Sequence, residues 1–126
     1  MKRLLFVVLM MICSVSWAEW DVTWVNPSNG DIYHHDKSTI QKEGDLRKMW
    51  TSQQYIEPID VGLGPLSMMK SQFHYDCKKQ LVRMIAIVGY SYDGTVQFSK
   101  VLNKEWVPTT PGTPMMMDWK IACGKK

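Results

Sequence analysis

At 126 residues and a net charge of +3, the chain has room for one small domain with a modest core. So small a charge argues against a protein that binds nucleic acid by neutralising phosphates, and none is expected among its partners. Three cysteines, ten methionines and six tryptophans are its distinctive residues.

Residues 1–18 read as a signal peptide. Lys2 and Arg3 form a short positive region, Leu4 to Ile12 is an unbroken apolar run, and Ser16-Trp17-Ala18 supplies the small residues a signal peptidase reads. Cleavage between Ala18 and Glu19 leaves the mature domain, 19–126. The apolar run falls short of the roughly 20 residues that span a bilayer, so the mature chain is expected to carry no transmembrane segment. Cys13 is expected to depart with the leader, because Ile12 precedes it where lipidation needs a small residue. Removing the first 18 of 126 residues leaves 108, and the loss of Lys2 and Arg3 takes the net charge from +3 to +1. Export places Cys77 and Cys123, the two cysteines of the mature domain, in an oxidising compartment, where they are expected to form a disulfide. That bond would close a loop of 47 residues, a constraint of about 4 kcal/mol on the unfolded chain.

Trp20 to Trp24 alternates apolar and polar residues with the period of a half-buried strand. Asn26-Pro27-Ser28-Asn29-Gly30 predicts a turn, and Ile32 to His35 the returning strand. Lys37 to Asp45 reads as a polar loop, Leu46 to Tyr55 as a third strand, and Ile56 to Ser67, with two prolines and two glycines, as a long irregular connection. Next, Phe73, Tyr75 and Cys77 share one face of a fourth strand, opposite Gln72, His74 and Asp76. A tight turn at Lys79-Gln80 would set Asp76 against Arg83. Leu81 to Tyr92 is a fifth strand, and its segment Met84 to Val88 is apolar on both faces, the pattern of a strand covered on both sides. Asp93-Gly94 predicts a tight hairpin into a sixth strand, Thr95 to Leu102.

The C-terminus changes period. Thr113 can cap a helix, Pro114 suits its first position, and Gly124 suits its stop. Met115, Met116, Trp119 and Cys123 fall on one side of that helix, while Met117 and Ile121 fall on the other and are expected to form a partner surface. The fold class is therefore α+β: an antiparallel sheet of about six strands with a C-terminal helix disulfide-tethered to one face.

In order and spacing, the N-terminal tryptophan strand, Tyr33, Asp36-Lys37-Ser38-Thr39-Ile40, Trp50, Tyr75-Asp76-Cys77, Arg83, Tyr90, Trp106-Val107-Pro108 and the final Cys123 resemble the surface-adhesin protein E family of Gram-negative bacteria. The resemblance covers nearly the whole mature chain. It implies a six-stranded sheet whose concave face holds the helix. It also implies adhesion: the namesake binds host matrix and serum proteins such as vitronectin, laminin and plasminogen, and has been linked to haem. This chain departs from the namesake in lacking a lipobox.

No sequence motif announces catalysis. There is no G-x-S-x-G elbow and no glycine-rich phosphate loop, and a disulfide-bonded cysteine is not a nucleophile. The adjacent strand histidines His34 and His35 point to opposite faces and cannot readily chelate one ion. The chain is expected to be a non-enzymatic binding protein of the periplasm or outer cell surface, without a cofactor. Its partner is expected to be a protein, with a second copy of the chain among the candidates. The alternative is a periplasmic carrier of a small haem-like ligand beneath the helix, using His34, His35 or His74.

Overall fold

The computed structural model describes residues 20–60 and 62–125. The expected signal peptide and the Ala18–Glu19 cleavage site lie outside the described residues. Among the described residues, seven strands and one helix follow in chain order: β1 (Trp20–Val25), β2 (Ile32–Glu43), β3 (Leu46–Asp60), β4 (Pro65–Asp76), β5 (Leu81–Ser91), β6 (Val96–Val101), β7 (Val107–Pro108) and α1 (Pro114–Ala122). The first six strands form an antiparallel meander in sequence order, and β7 adds to β5. Strands β6 and β7 thus share one edge of β5: β6 pairs with Ala86 to Tyr90, and β7 with Leu81 and Val82.

Two segments expected to be irregular are strand. Lys37 to Glu43 continues β2, because Gly44 (φ +58°) and Asp45 make a two-residue turn and return the chain as β3, with Lys42 opposite Arg47. The segment is polar because this end of the ribbon runs past the core into solvent, where its residues are mostly exposed. Likewise β3 extends to Asp60 and β4 begins at Pro65, with Ile59 opposite Leu66; the register shift between Gln54 and Ile59 accommodates Pro58. Pro65 takes the first position of its strand, where a missing N–H is tolerated.

The β4–β5 register also differs from expectation. The turn uses four residues, Cys77 to Gln80, so Asp76 faces Leu81 and Arg83 faces His74. The turn also consumes Asp76, whose Oδ1 accepts from the Lys78 and Lys79 backbone N–H groups at 3.0 Å each. Met84 to Val88 is only half-buried rather than covered on both sides. The cause is the position of α1, which lies mainly over β1, β2 and β3 and covers β5 only in part, at Val82 and beside Met84.

Met49, Tyr75, Val82, Trp119 and Ala122 form the buried core between sheet and helix. Burying a side chain of this size is worth roughly 1.5–3 kcal/mol. The helix ends are built as the sequence implies. Thr113 Oγ1 accepts from Met116 N at 3.3 Å, and Pro114 occupies the first turn. At the other end Gly124 (φ +66°) lets Lys125 N reach Lys120 O at 2.7 Å and Gly124 N reach Ile121 O at 3.3 Å. That pair of bonds is a Schellman stop. Two links hold the helix to the β4–β5 turn. Cys77 is bonded to Cys123 with Cα atoms 5.5 Å apart, and Trp119 Nε1–H donates to the Asp76 carbonyl at 2.9 Å.

Candidate functional site

The strand period sorts the sheet's side chains into two faces. The face under α1 carries His35, Met49, Thr51, Ser71, Phe73 and Tyr75 in register across β2, β3 and β4. The opposite face carries Trp50, Lys70, Gln72, His74 and Arg83, and no helix lies on it among the described residues.

On that opposite face, aromatic rings and cations alternate. Lys70 Nζ lies 5.3 Å from the Trp20 ring and 5.0 Å from the Tyr90 ring. Trp20 on β1 and Lys70 on β4 are three strands apart, about 14 Å in a flat sheet, so both side chains must lean together across β2 and β3. A second group forms where the chain after β6 returns along the sheet. The Arg83 guanidinium stands 4.6 Å from the Trp106 ring, and the His74 ring lies 4.9 Å from it. Arg83 Nε–H donates to His74 Nδ1 at 3.3 Å. Burial lowers the His74 pKa below its ordinary 6.5, with Arg83 and Lys48 adding to the effect, so the ring is a neutral acceptor at neutral pH. Each cation–ring contact at a partly exposed site is worth about 0.5–1 kcal/mol. At the sheet's tip, Leu63 and Tyr92 flank a shallow cleft and are 63% and 76% exposed.

Beneath α1 lies a pocket of about 290 Å³. Met69, Phe73, Met84 and Met115 give it an apolar wall, and Tyr75 and Asp118 are among its polar residues. Asp118 is buried and accepts from Thr23 Oγ1 at 2.8 Å. The register shift between Val22 and Trp24 sets Thr23 into this position on β1. Thr23 Oγ1 also lies 2.6 Å from His35 Nδ1. A hydroxyl has one proton, so with that proton on Asp118 it accepts from the His35 Nδ1–H. Burial pushes the Asp118 carboxyl up to about 7, with the Thr23 hydrogen bond opposing, and it lowers His35 below 6.5. Tyr75 is 1% exposed, its hydroxyl has no hydrogen-bond partner, and burial followed by the Asp118 charge raises its pKa well above 10.0. Leaving such a hydroxyl unpaired costs about 1–3 kcal/mol. Thr, His and Asp meet here without forming a nucleophilic triad, since the threonine rather than the histidine occupies the middle of the chain.

Of the residues singled out in the sequence, Cys77 and Cys123 come together as expected. Met117 and Ile121, expected on the outer side of α1 as a partner surface, are less open than a fully outward stripe would be. Both are only partly exposed, and Ile121 packs against the core cluster, because a short helix crossing three strands buries more than one stripe. His34, His35 and His74 do not converge, and none lines the pocket under α1. The pocket's polar group escapes sequence reasoning based on apolar periodicity, since Asp118 is a charged residue on an inward-facing helix position. A carboxylate directly beside the inward-facing Trp119, in an otherwise mostly apolar short helix, is the one signal that could have marked it.

No curated protein matches the chain's sequence at a significant level. Residues 17–124 match the family described as Surface-adhesin protein E. With that match, the meander sheet and the helix held by the Cys77–Cys123 bond, the chain belongs to the surface-adhesin protein E family.

Proposed function

We propose that this chain is an exported, non-catalytic recognition domain that binds another protein at the envelope of a Gram-negative bacterium, in the periplasm or on the outer surface. Family membership supports the adhesin-like character. The observation that carries the binding face is the belt of Trp20, Lys70 and Tyr90 beside His74, Arg83 and Trp106 on the sheet face opposite α1. Tryptophan, tyrosine and arginine are the residues that dominate protein–protein hot spots, and lysine and arginine held over rings favour an acidic partner surface.

The test is binding of the purified mature domain to immobilised vitronectin, laminin and plasminogen, with light scattering to detect self-association. Saturable, salt-sensitive binding is expected to at least one of them. Lys70→Ala and Arg83→Ala should each weaken it by about 1–2 kcal/mol, five- to thirtyfold. Undiminished binding by the folded double variant would remove this face from the account.

The competing reading is a haem-like carrier. His35 is engaged with Thr23 and His74 with Arg83 and Trp106, and the pocket under α1 has no histidine in its wall. The geometry therefore favours protein recognition. A haem titration followed by absorbance separates the two, and a saturable Soret shift lost on a histidine substitution would reverse the preference.

A further inference from the structure

Two features of the space beneath α1 are not explained by packing. The Tyr75 hydroxyl is buried and unpaired, and the Asp118 carboxyl is buried with one neutral donor and no cation against it. A protein interior ordinarily satisfies such groups. Both line the same pocket, and its volume of about 290 Å³ can hold a compact molecule.

The lining decides the chemistry of an occupant. Its ionisable groups are Asp118, Tyr33 and Tyr75, all acids, and no lysine, arginine or histidine lines it. An anion would meet a carboxylate with no cation to offset it. A neutral molecule could hydrogen-bond there but would leave the charged form of Asp118 uncompensated. An ammonium meets the needs of both groups at once, giving the Asp118 carboxylate a compensating charge beside its Thr23 hydrogen bond and donating to the unpaired Tyr75 hydroxyl oxygen. The N-terminal end of α1 also borders the pocket, through Thr113, Pro114 and Met115, and its dipole opposes a cation. That opposition is weakened because Pro114 has no N–H and Thr113 occupies the Met116 N–H. The remaining wall, Met69, Phe73, Met84 and Met115, suits an apolar or aromatic body, since methionine sulfur packs well against rings.

We propose that the pocket between α1 and the sheet binds a compact amphipathic amine, with its ammonium on Asp118 and Tyr75 and its apolar body against Met69, Phe73, Met84 and Met115. This site is separate from the protein-binding face, which lies on the other side of the sheet.

Binding is linked to pH through Asp118. The groups against it are Thr23 from β1, His35 from β2 and Tyr75 from β4, and Tyr33 from β2 with the uncharged Thr51, Ser52 and Gln53 from β3 line the same pocket. Lys120 is the nearest charge on its own helix. His35 Nδ1 stands 4.0 Å from Asp118 Oδ1, and burial holds that ring below its ordinary 6.5, so it is mostly neutral above that value. With its pKa at about 7, the carboxyl is mostly protonated one pH unit below and mostly ionised one unit above. Affinity for an ammonium should therefore rise about tenfold from about pH 6 to about pH 8.

The experiment is calorimetric titration of the disulfide-bonded mature domain with 2-phenylethylamine, 2-phenylethanol and 3-phenylpropanoate. The amine is expected to bind with that pH dependence and to release protons. The alcohol should bind more weakly and independently of pH, and the carboxylate weakest of all. Asp118→Asn should abolish both the amine preference and the pH dependence, and Tyr75→Phe should weaken amine binding severalfold. If a substitution disturbs the fold by near-ultraviolet circular dichroism, the wild-type pH profile still decides. Amine binding that fails to saturate, that is flat in pH, or that the alcohol or carboxylate equals would overturn the proposal. None of these results bears on capture of host proteins by the opposite face.

Discussion

Replacing Cys77 and Cys123 together by serine tests how α1 is kept on the sheet. The bond spans a sequence separation of 46, so its loss frees a loop containing β5, β6, β7 and the helix. The entropy returned to the unfolded chain is worth about 4 kcal/mol, a large part of the 5–15 kcal/mol of a whole domain. The non-covalent links that remain are the buried Trp119 and Ala122, the Trp119–Asp76 hydrogen bond and the Thr23–Asp118 bond. A nine-residue helix cannot persist in isolation, so any undocking is also unfolding of the helix. The expected result is a loss of about 4 kcal/mol in guanidinium unfolding and a Tm lower by about 15–30 °C. Amide exchange should rise first in residues 114–122, while the β2–β4 amides stay protected. A loss below about 1 kcal/mol, or helix amides as protected as in the oxidised protein, would refute the view that the bond is the helix's main restraint.

Three further outcomes are expected. Trp119→Phe removes the donor to the Asp76 carbonyl and should cost about 1–2 kcal/mol by denaturant titration. Gly89→Ala would place a methyl 2.4 Å from Phe98 Cε1 and 2.9 Å from Leu66 Cδ1, costing about 1–3 kcal/mol, with partial rescue by Phe98→Leu. The third concerns pH. Burial raises the Asp118 carboxyl from 3.8 to about 7, so the folded state binds its proton more tightly, and stability falls as pH rises between those values. Asp118→Asn should therefore stabilise the protein at pH 8 by up to about 4 kcal/mol and flatten its pH profile between pH 4 and pH 7. His35, lowered by burial, acts in the opposite sense, removing stability as pH falls through 6.5.

Strands and caps are legible in this sequence wherever one residue type carries a physical necessity. Phe73, Tyr75 and Cys77 announce a buried face by their spacing, and Thr113-Pro114 with Gly124 announces both ends of α1. Lys37 to Glu43 is not legible as strand, because Ile40, which packs against the core, is its one apolar residue and no alternation surrounds it. The pairing of Arg83 with His74 depends on whether a turn takes two residues or four, and Gln80 at φ +54° gives no hint of that choice in the sequence. The candidate sites are less legible still. Trp20, Lys70 and Tyr90 are 50 and 20 residues apart in sequence and meet only because the sheet brings β1, β4 and β5 under one surface. Asp118 is hidden by the same logic, since hydrophobic periodicity treats an inward-facing carboxylate as a surface residue.

The outer rim of β5 is shared by a six-residue strand and a two-residue one, with a gap between them. An unbroken rim offers a row of free amides and carbonyls onto which a second copy could zip, and then a third. Here that row is interrupted, and its shorter piece ends in Pro108, which has no amide hydrogen to give. Along this rim, copies of the chain thus find little template for concatenation into ribbons, and any edge-to-edge growth falls to β1 on the far side of the sheet.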